Sequence, residues 1–271
     1  MNKPILVGAV AYDPKVVVIW DIIKDFFREQ GCPMDYVFYS NYELLVDALL
    51  AGHVQIAWNS PLAWLEAQRA GGGACRAVAM RDTDRDRVTH LIVRRDGGVE
   101  MVADLRGKTV ATGAKDSPQA TLLPLHLLHE AGLEPERDFT VRRFDVMVGK
   151  HGDHVGGELQ ALQSLLAGES DAAAVLDLNW QTWTTDGTAS AAKLRLLATT
   201  HPFDHCNFTV RADFPQSDLD RWLAALFAMR YDNPQHREMM DLEGLRAWLP
   251  GRTSGYADLE AATEEQGFFD E

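Results

Sequence analysis

Two histidines, an aspartate and a glutamate crowd into the stretch Gly149-Lys150-His151-Gly152-Asp153-His154-Val155-Gly156-Gly157-Glu158, among four glycines. A second titratable cluster is Asp204-His205-Cys206-Asn207. A neutral imidazole can ligate a transition metal, and an imidazole N–H can donate to an anion. If the two segments converge, His151, His154, Glu158, His205 and Cys206 form a candidate transition-metal or acid–base set. The spacing matches no zinc signature. Three readings therefore stay open: donors to a bound anion, metal ligands, or structural hydrogen bonding. Cys206 beside His205 has the makings of a nucleophile, but no third, orienting group stands at a recognisable spacing.

The segment Asp116-Ser117-Pro118-Gln119-Ala120-Thr121 offers a different chemistry. Ser117 stands before a proline that opens a helix. The free N–H groups and positive dipole end of such a start suit a phosphate-like or carboxylate oxygen, with Gln119 and Thr121 adding side-chain donors. The plainer alternative is that Ser117 is only an N-cap. Further polar or aromatic groups stand at strand ends: Tyr12 with Asp13, Tyr39-Ser40-Asn41, Asn59-Ser60 with Trp64 one helical turn on, and Asp177. Blander expectations apply elsewhere. Trp20 and Trp58 read as core, Arg81–Arg87 as a solvated, self-paired turn, and His126 and His129 as surface or packing residues. Arg252 lies in a turn from which it can reach a ligand.

The elements that must position these residues follow one plan twice. The strand Ile5–Val10 leads through Asp13 and Pro14 into a helix stopped by Gly31. A strand over Tyr36–Tyr39, a helix capped by Asn41 and ended by Leu49-Leu50-Ala51-Gly52, and the strand Val54–Trp58 follow. The second copy runs from the strand Lys108–Thr112 through a Pro118-started helix to a strand over Phe139–Phe144. It continues with the helix Leu159–Ala167, ended by Leu165-Leu166-Ala167-Gly168, and the strand Ala172–Leu176, which delivers Asp177. Such a repeat predicts an α/β protein of two lobes, each a mainly parallel sheet flanked by helices. Ligands then bind at the strand carboxyl ends, in a cleft between the lobes. The expected division is 1–90 for the first lobe, 91–200 for the second, and 201–271 for a return crossing whose C-terminal helices pack on the first lobe. Thr89–Arg95 is expected to cross as a strand, and the return to fall near Thr199–Val210.

Bulk properties narrow the function classes. With 271 residues and a net charge of −14, the chain suits two cores and repels nucleic acid and anionic lipid. No run approaches the ~18 apolar residues of a membrane span. Three cysteines at irregular spacing make no disulfide framework. The sequence opens almost at once on a core strand and shows no signal peptide. The expected location is the periplasm if a signal sequence has been removed, and the cytoplasm otherwise.

Several segments together resemble the phosphonate/phosphite/phosphate-type substrate-binding proteins of ABC transporters, within the type 2 periplasmic-binding-protein superfamily. They are Val7-Gly8-Ala9-Val10 with Tyr12, Ala48–Gly52, Ile56–Ala63 with Trp64, Asp104–Val110, Asp116–Thr121 and Asp171–Asp177. The resemblance spans roughly residues 4–262. It implies a two-lobed solute-binding protein for a small anionic ligand, working with an ABC permease and without a resident cofactor. It also implies ligand contacts at Tyr12, Trp64, the Ser117 helix start, His151 or His154, and Asp177. Trp64 stands where the family has tyrosine, and Pro118 removes an N–H from the anion loop. The alternative implied by the same superfamily is a cytosolic enzyme, decarboxylase-, dehydratase- or synthase-like, using the His/Glu/Cys set with a possible transition metal.

Overall fold

Apolar strand runs punctuated by helix caps fold, in a computed structural model describing residues 4–152 and 156–270, into two units. Unit 1 comprises residues up to Arg85 together with Asp204–Gly255, and unit 2 comprises Asp86–Phe203 with the residues from Tyr256 on. In unit 1 the order is β1 (Ile5–Val10), α1 (Lys15–Glu29), β2 (Met34–Tyr39), α2 (Tyr42–Leu50), β3 (Ile56–Asn59), α3 (Pro61–Ala70) and β4 (Cys75–Arg81). Unit 2 continues with β5 (Thr89–Arg94), β6 (Thr109–Thr112), α4 (Leu123–Glu130), β7 (Thr140–Arg143), α5 (Glu158–Leu166), β8 (Ala172–Leu176), α6 (Asp177–Asp186) and β9 (Leu194–Thr199). The chain returns to unit 1 for β10 (Asn207–Arg211), α7 (Gln216–Phe227), α8 (Pro234–Leu242) and β11 (Trp248–Pro250), and ends in unit 2 with α9 (Ala257–Glu265).

The repeat read from the sequence is a repeat of topology. The unit 1 sheet runs β11-β4-β10-β3-β1-β2, and the unit 2 sheet β7-β6-β8-β5-β9. Apart from β11, the two orders correspond strand for strand. In each, the first three strands of the copy are parallel. In each, one antiparallel strand is inserted next to the third: β10 beside β3, and β5 beside β8. The sheets are thus mixed, and the crossing segments become interior strands. The insertion brings Asn207 opposite Asn59 and Thr89 opposite Leu176. The starts of β10 and β5 therefore share an edge with the carboxyl ends of the parallel strands.

The shared Leu-Leu-Ala-Gly segments are the same helix ending built twice. Gly52 and Gly168 both adopt φ +76°, in the left-handed region that glycine enters without steric cost. Each glycine N–H bonds the carbonyl three residues back, Leu49 at 3.0 Å and Leu165 at 3.1 Å. The next N–H reaches five residues back in both, His53 to Ala48 and Glu169 to Ser164. The central strands β3 and β8 are buried along their whole length, as strands covered by helices on both faces must be. Unit 1 is centred on aromatics: Phe27 stacks on Trp222 at 5.4 Å between ring centroids, and Phe208 meets both Trp58 and Trp222. Trp20 belongs to the same core.

Three local expectations change. The first helix begins at Lys15, one residue beyond Pro14, with Asp13 accepting the Lys15 N–H at 2.8 Å. Asp177 is the first residue of α6 rather than a loop residue. The C-terminal helices do not all pack on the first unit: α9 packs against α4 in unit 2. Leu259 and Ala262 bury its inner face, and Gln266 donates to the Leu122 carbonyl at 2.9 Å.

Candidate functional site

At the strand-end edge of unit 2, the loop after β6 runs into the helix that becomes α4. Ser117 Oγ accepts the Ala120 N–H at 3.2 Å, so the capping role is real. The Ser117 carbonyl accepts from Thr121 and, five residues on, from Leu122, which makes Pro118–Leu122 a single π turn. Such bulges recur where a helix start is shaped for a purpose. Gln119 donates to the Gly152 carbonyl at 3.2 Å, and Thr89 Oγ1 donates to the Gln119 carbonyl at 2.7 Å. Asp116 accepts the Gly149 N–H at 2.6 Å. Burial raises the Asp116 pKa, against the pull of the surrounding amides. The structure therefore brings Asp116, Ser117 and Gln119 together with the loop carrying His151 and Gly152.

This corner retains unused polar capacity. Thr112 Oγ1, Asp116 Oδ1, Gln119 Oε1 and Thr121 Oγ1 are all buried without a hydrogen-bond partner among the described residues. Native proteins rarely leave such groups unmatched, because each unmatched group costs about 1–3 kcal/mol. His151 is 8% exposed and sits at φ +52°. Burial depresses its pKa to about 3, so the ring is neutral, with one donor and one acceptor nitrogen. His154 lies outside the described residues.

Asp177 and Glu158 complete this edge. Asp177 pairs with Arg87 at 3.2 Å, so its charge is already compensated. Glu158 is fully buried, accepting the Leu176 N–H at 2.7 Å and the Asn179 amide at 2.9 Å. Burial raises its pKa to about 8 despite both bonds, which makes it a neutral acid at pH 7.

The corresponding edge of unit 1 carries Tyr12 after β1, Tyr39 at the end of β2 and Asn59 at the end of β3. Tyr12 is half-buried against the aromatic core, and burial raises the Tyr39 pKa. Asn59 donates to Thr209 Oγ1 at 3.0 Å, and its buried Oδ1 has no hydrogen-bond partner among the described residues. Ser60 caps α3, accepting from Ala63 at 3.1 Å. Trp64 is buried at 3% exposure.

His205 and Cys206 sit at the start of β10, where sequence reading missed their main partner. Asp84 lies inside the charged run expected to be a solvated turn, yet it is 1% exposed. Arg81 grips it with two bonds, Nε to Oδ2 at 2.7 Å and Nη2 to Oδ1 at 2.8 Å, and also reaches Glu243 at 2.9 Å. The Cys206 N–H reaches Asp84 Oδ1 at 3.2 Å, and His205 Nδ1 stands 3.5 Å from that oxygen and 3.1 Å from Cys206 Sγ. Burial alone would raise the Asp84 pKa, but Arg81 and His205 hold it well below the usual range. Asp84, His205 and Cys206 do offer three ligand atoms within 4.8 Å of one another. A cation there would have to face the Arg81 guanidinium, which already occupies both Asp84 oxygens, so the donor set fits a metal poorly. The wider expected set is also divided: His151 and Glu158 belong to unit 2, His205 and Cys206 to unit 1. Arg252 is committed to the buried Asp204, with two bonds of 2.6 Å.

Comparison with known proteins narrows the reading. A family model described as "ABC transporter, phosphonate, periplasmic substrate-binding protein" matches residues 11–256. Among solved structures, XAC2383 from Xanthomonas citri bound to ATP is similar at a TM-score of 0.75 and 17% identity, covering 99% of each chain. PhnD1 from Prochlorococcus marinus in complex with methylphosphonate follows at 0.71 and 16%, covering 98% of each. The aliphatic sulphonate binding protein SsuA from Escherichia coli gives 0.63 and 17%, covering 100% of this chain and 93% of that one. At these identities the likeness establishes the two-lobed periplasmic-binding fold. A stretch of 29 residues is 62% identical to an uncharacterized Haemophilus influenzae protein, spanning 11% of this chain and 41% of that relative's length.

Proposed function

Because the chain belongs to the family of periplasmic phosphonate substrate-binding proteins of ABC transporters, we propose that it captures a small phosphonate-, phosphate- or carboxylate-like anion at the Ser117 edge and delivers it to an ABC permease. The observation that carries this reading is the cluster of buried, unpartnered polar atoms around the π turn: Thr112, Asp116, Gln119 and Thr121. A solute with both acceptor and donor atoms would satisfy them. The oxyanion takes the helix start and the Thr112 hydroxyl. A protonated oxygen or an amine donates to Gln119 Oε1 and Asp116 Oδ1. Tyr12, Tyr39 and Asn59 form a corresponding polar and aromatic edge in unit 1 that suits the same class of solute. The neutral His151 orients one oxygen. No resident cofactor is needed for this role, and the mature protein works in the periplasm. No helix among the described residues is long and apolar enough to cross a membrane.

The test is calorimetry on protein freed of bound solute by unfolding and refolding. Methylphosphonate, aminoalkylphosphonates, phosphite, phosphate, alkanesulfonates and small carboxylates form the panel. The expected result is one class binding at about micromolar Kd or tighter, roughly −8 kcal/mol. If no member binds, or if Ser117→Ala and Gln119→Ala leave the best Kd unchanged, the assignment to this edge fails.

A further inference from the structure

Unit 2 contains a cavity of about 430 Å³, lined by the π turn, α4, α9 and the loop before β7. That size lies within the range of small-molecule sites, roughly 300–1,000 Å³. Its walls are of two kinds. Leu122, Leu125 and Phe268 supply apolar surface, and Lys115 and Arg143 stand at its rim as cations.

The cations do not pair with the carboxylates that also line the cavity. Glu134 and Glu265 lie instead beside histidines, with His129 Nδ1 standing 2.9 Å from Glu134 and 3.6 Å from Glu265, and His126 Nδ1 2.6 Å from Glu265. Neither Lys115 nor Arg143 has a side-chain hydrogen bond or ion pair among the described residues. The third observation is that Thr121 and Leu122, both residues of the π turn, line this cavity.

We propose that this α4–α9 cavity is a second binding site, for an amphipathic anion whose acidic head meets Lys115 and Arg143 and whose apolar body lies on Leu122, Leu125 and Phe268. The site would be coupled to the Ser117 edge through the backbone. Thr121 donates its N–H to the Ser117 carbonyl at 3.1 Å, so an occupant that holds Thr121 also holds the π turn. The inference does not depend on which solute the Ser117 edge takes.

The probe is naphthalene-1-sulfonate, titrated into the full-length protein by calorimetry and followed by NMR of the histidine rings. The expected result is one saturable event that shifts the His126 and His129 signals. Lys115→Glu combined with Arg143→Glu should weaken it at least tenfold. Both residues are exposed, so the fold is retained, and circular dichroism checks this. Uncharged 1-naphthalenemethanol should bind at least tenfold more weakly than the sulfonate. The proposal is overturned if no saturable binding occurs, if the neutral probe binds equally well, or if the histidine signals stay put. It is also overturned if binding is lost in Tyr12→Ala of unit 1 and kept in the double variant, which would place the probe at the primary solute site.

Discussion

Gly152 lies so close to Ser117 that a Cβ added to the glycine would stand 2.6 Å from both the Cβ and the Oγ of the serine. The glycine also sits at φ +62°, where any side chain carries a further cost of roughly 1–2 kcal/mol. The His151 loop is therefore seated on the helix start by the absence of one methyl group. Gly152→Ala should push the loop off Ser117 and break the 3.2 Å bond from Gln119 to the Gly152 carbonyl. The expected outcome is a loss of solute affinity of about tenfold or more with little change in circular dichroism, read by calorimetry. Unchanged affinity would mean that the loop does not shape the site.

The Arg81–Asp84 pair makes a stability prediction. Both groups are buried; without Asp84 the Arg81 guanidinium keeps Glu243 alone as its carboxylate partner, and without Arg81 the Asp84 carboxylate loses its two shortest bonds. Removing one partner of such a pair costs about 3–5 kcal/mol. Asp84→Ala should therefore lower the urea midpoint sharply. The double variant Arg81→Met/Asp84→Leu should recover a substantial part of that loss. Equal midpoints for wild type and Asp84→Ala would show that the pair contributes nothing.

Glu158 predicts a pH dependence with a definite sign. Its pKa is raised from an ordinary value of 4.5 to about 8 in the fold, mainly by burial. Below pH 4.5 both folded and unfolded states hold the proton. Between about 4.5 and 8 the unfolded state releases it while the folded state keeps it, so stability falls as pH rises; above about 8 the loss is complete. Glu158→Gln imitates the neutral acid and should remove this component. Urea melts at about pH 5, 6.5 and 8 should show the gap between variant and wild type widening in the variant's favour, by up to a few kcal/mol. A gap independent of pH would mean that Glu158 is ionised in the fold.

The Arg87–Asp177 ion pair makes a prediction about charge at the unit 2 edge. With the 3.2 Å pair intact, Asp177 offers little net negative charge to an ammonium group. Arg87→Gln should raise the affinity for aminoalkylphosphonates relative to methylphosphonate, by about tenfold for one uncompensated carboxylate in a partly buried site. The comparison of the two Kd values in wild type and variant checks it. An unchanged ratio would remove Asp177 from the ligand's surroundings.

The sequence made the duplicated plan legible because its punctuation is local. Pro118, Gly52, Gly168 and Asn41 act through φ restriction and capping, which need no tertiary partner, and Asn41 does accept the Leu44 N–H at 2.9 Å. Ser117 was found for the same reason. Asp84 was not, because a charged run such as Arg81–Arg87 has the composition of a solvated turn, and only tertiary packing against β10 and Glu243 buries it. The antiparallel placement of β5 and β10 was likewise hidden, since an interior strand has the same apolar pattern in either direction. The docking of α9 on α4 escaped as well: an amphipathic helix declares that it has an inner face but not which surface it covers.

The exchange of strands sets an order of assembly on the ribosome that differs from the order of synthesis. β1 to β4 emerge first, but β10, the strand that joins β3 to β4, begins only at Asn207. The sheet of unit 2 is complete once β9 ends at Thr199. The sheet begun first is thus the sheet finished last. Until then β3 and β4 each carry an open edge, the kind of exposed backbone that recruits wrong partners. A nascent chain halted with Thr199 just clear of the exit tunnel would hold one finished sheet and one gap, with β10 still inside the tunnel.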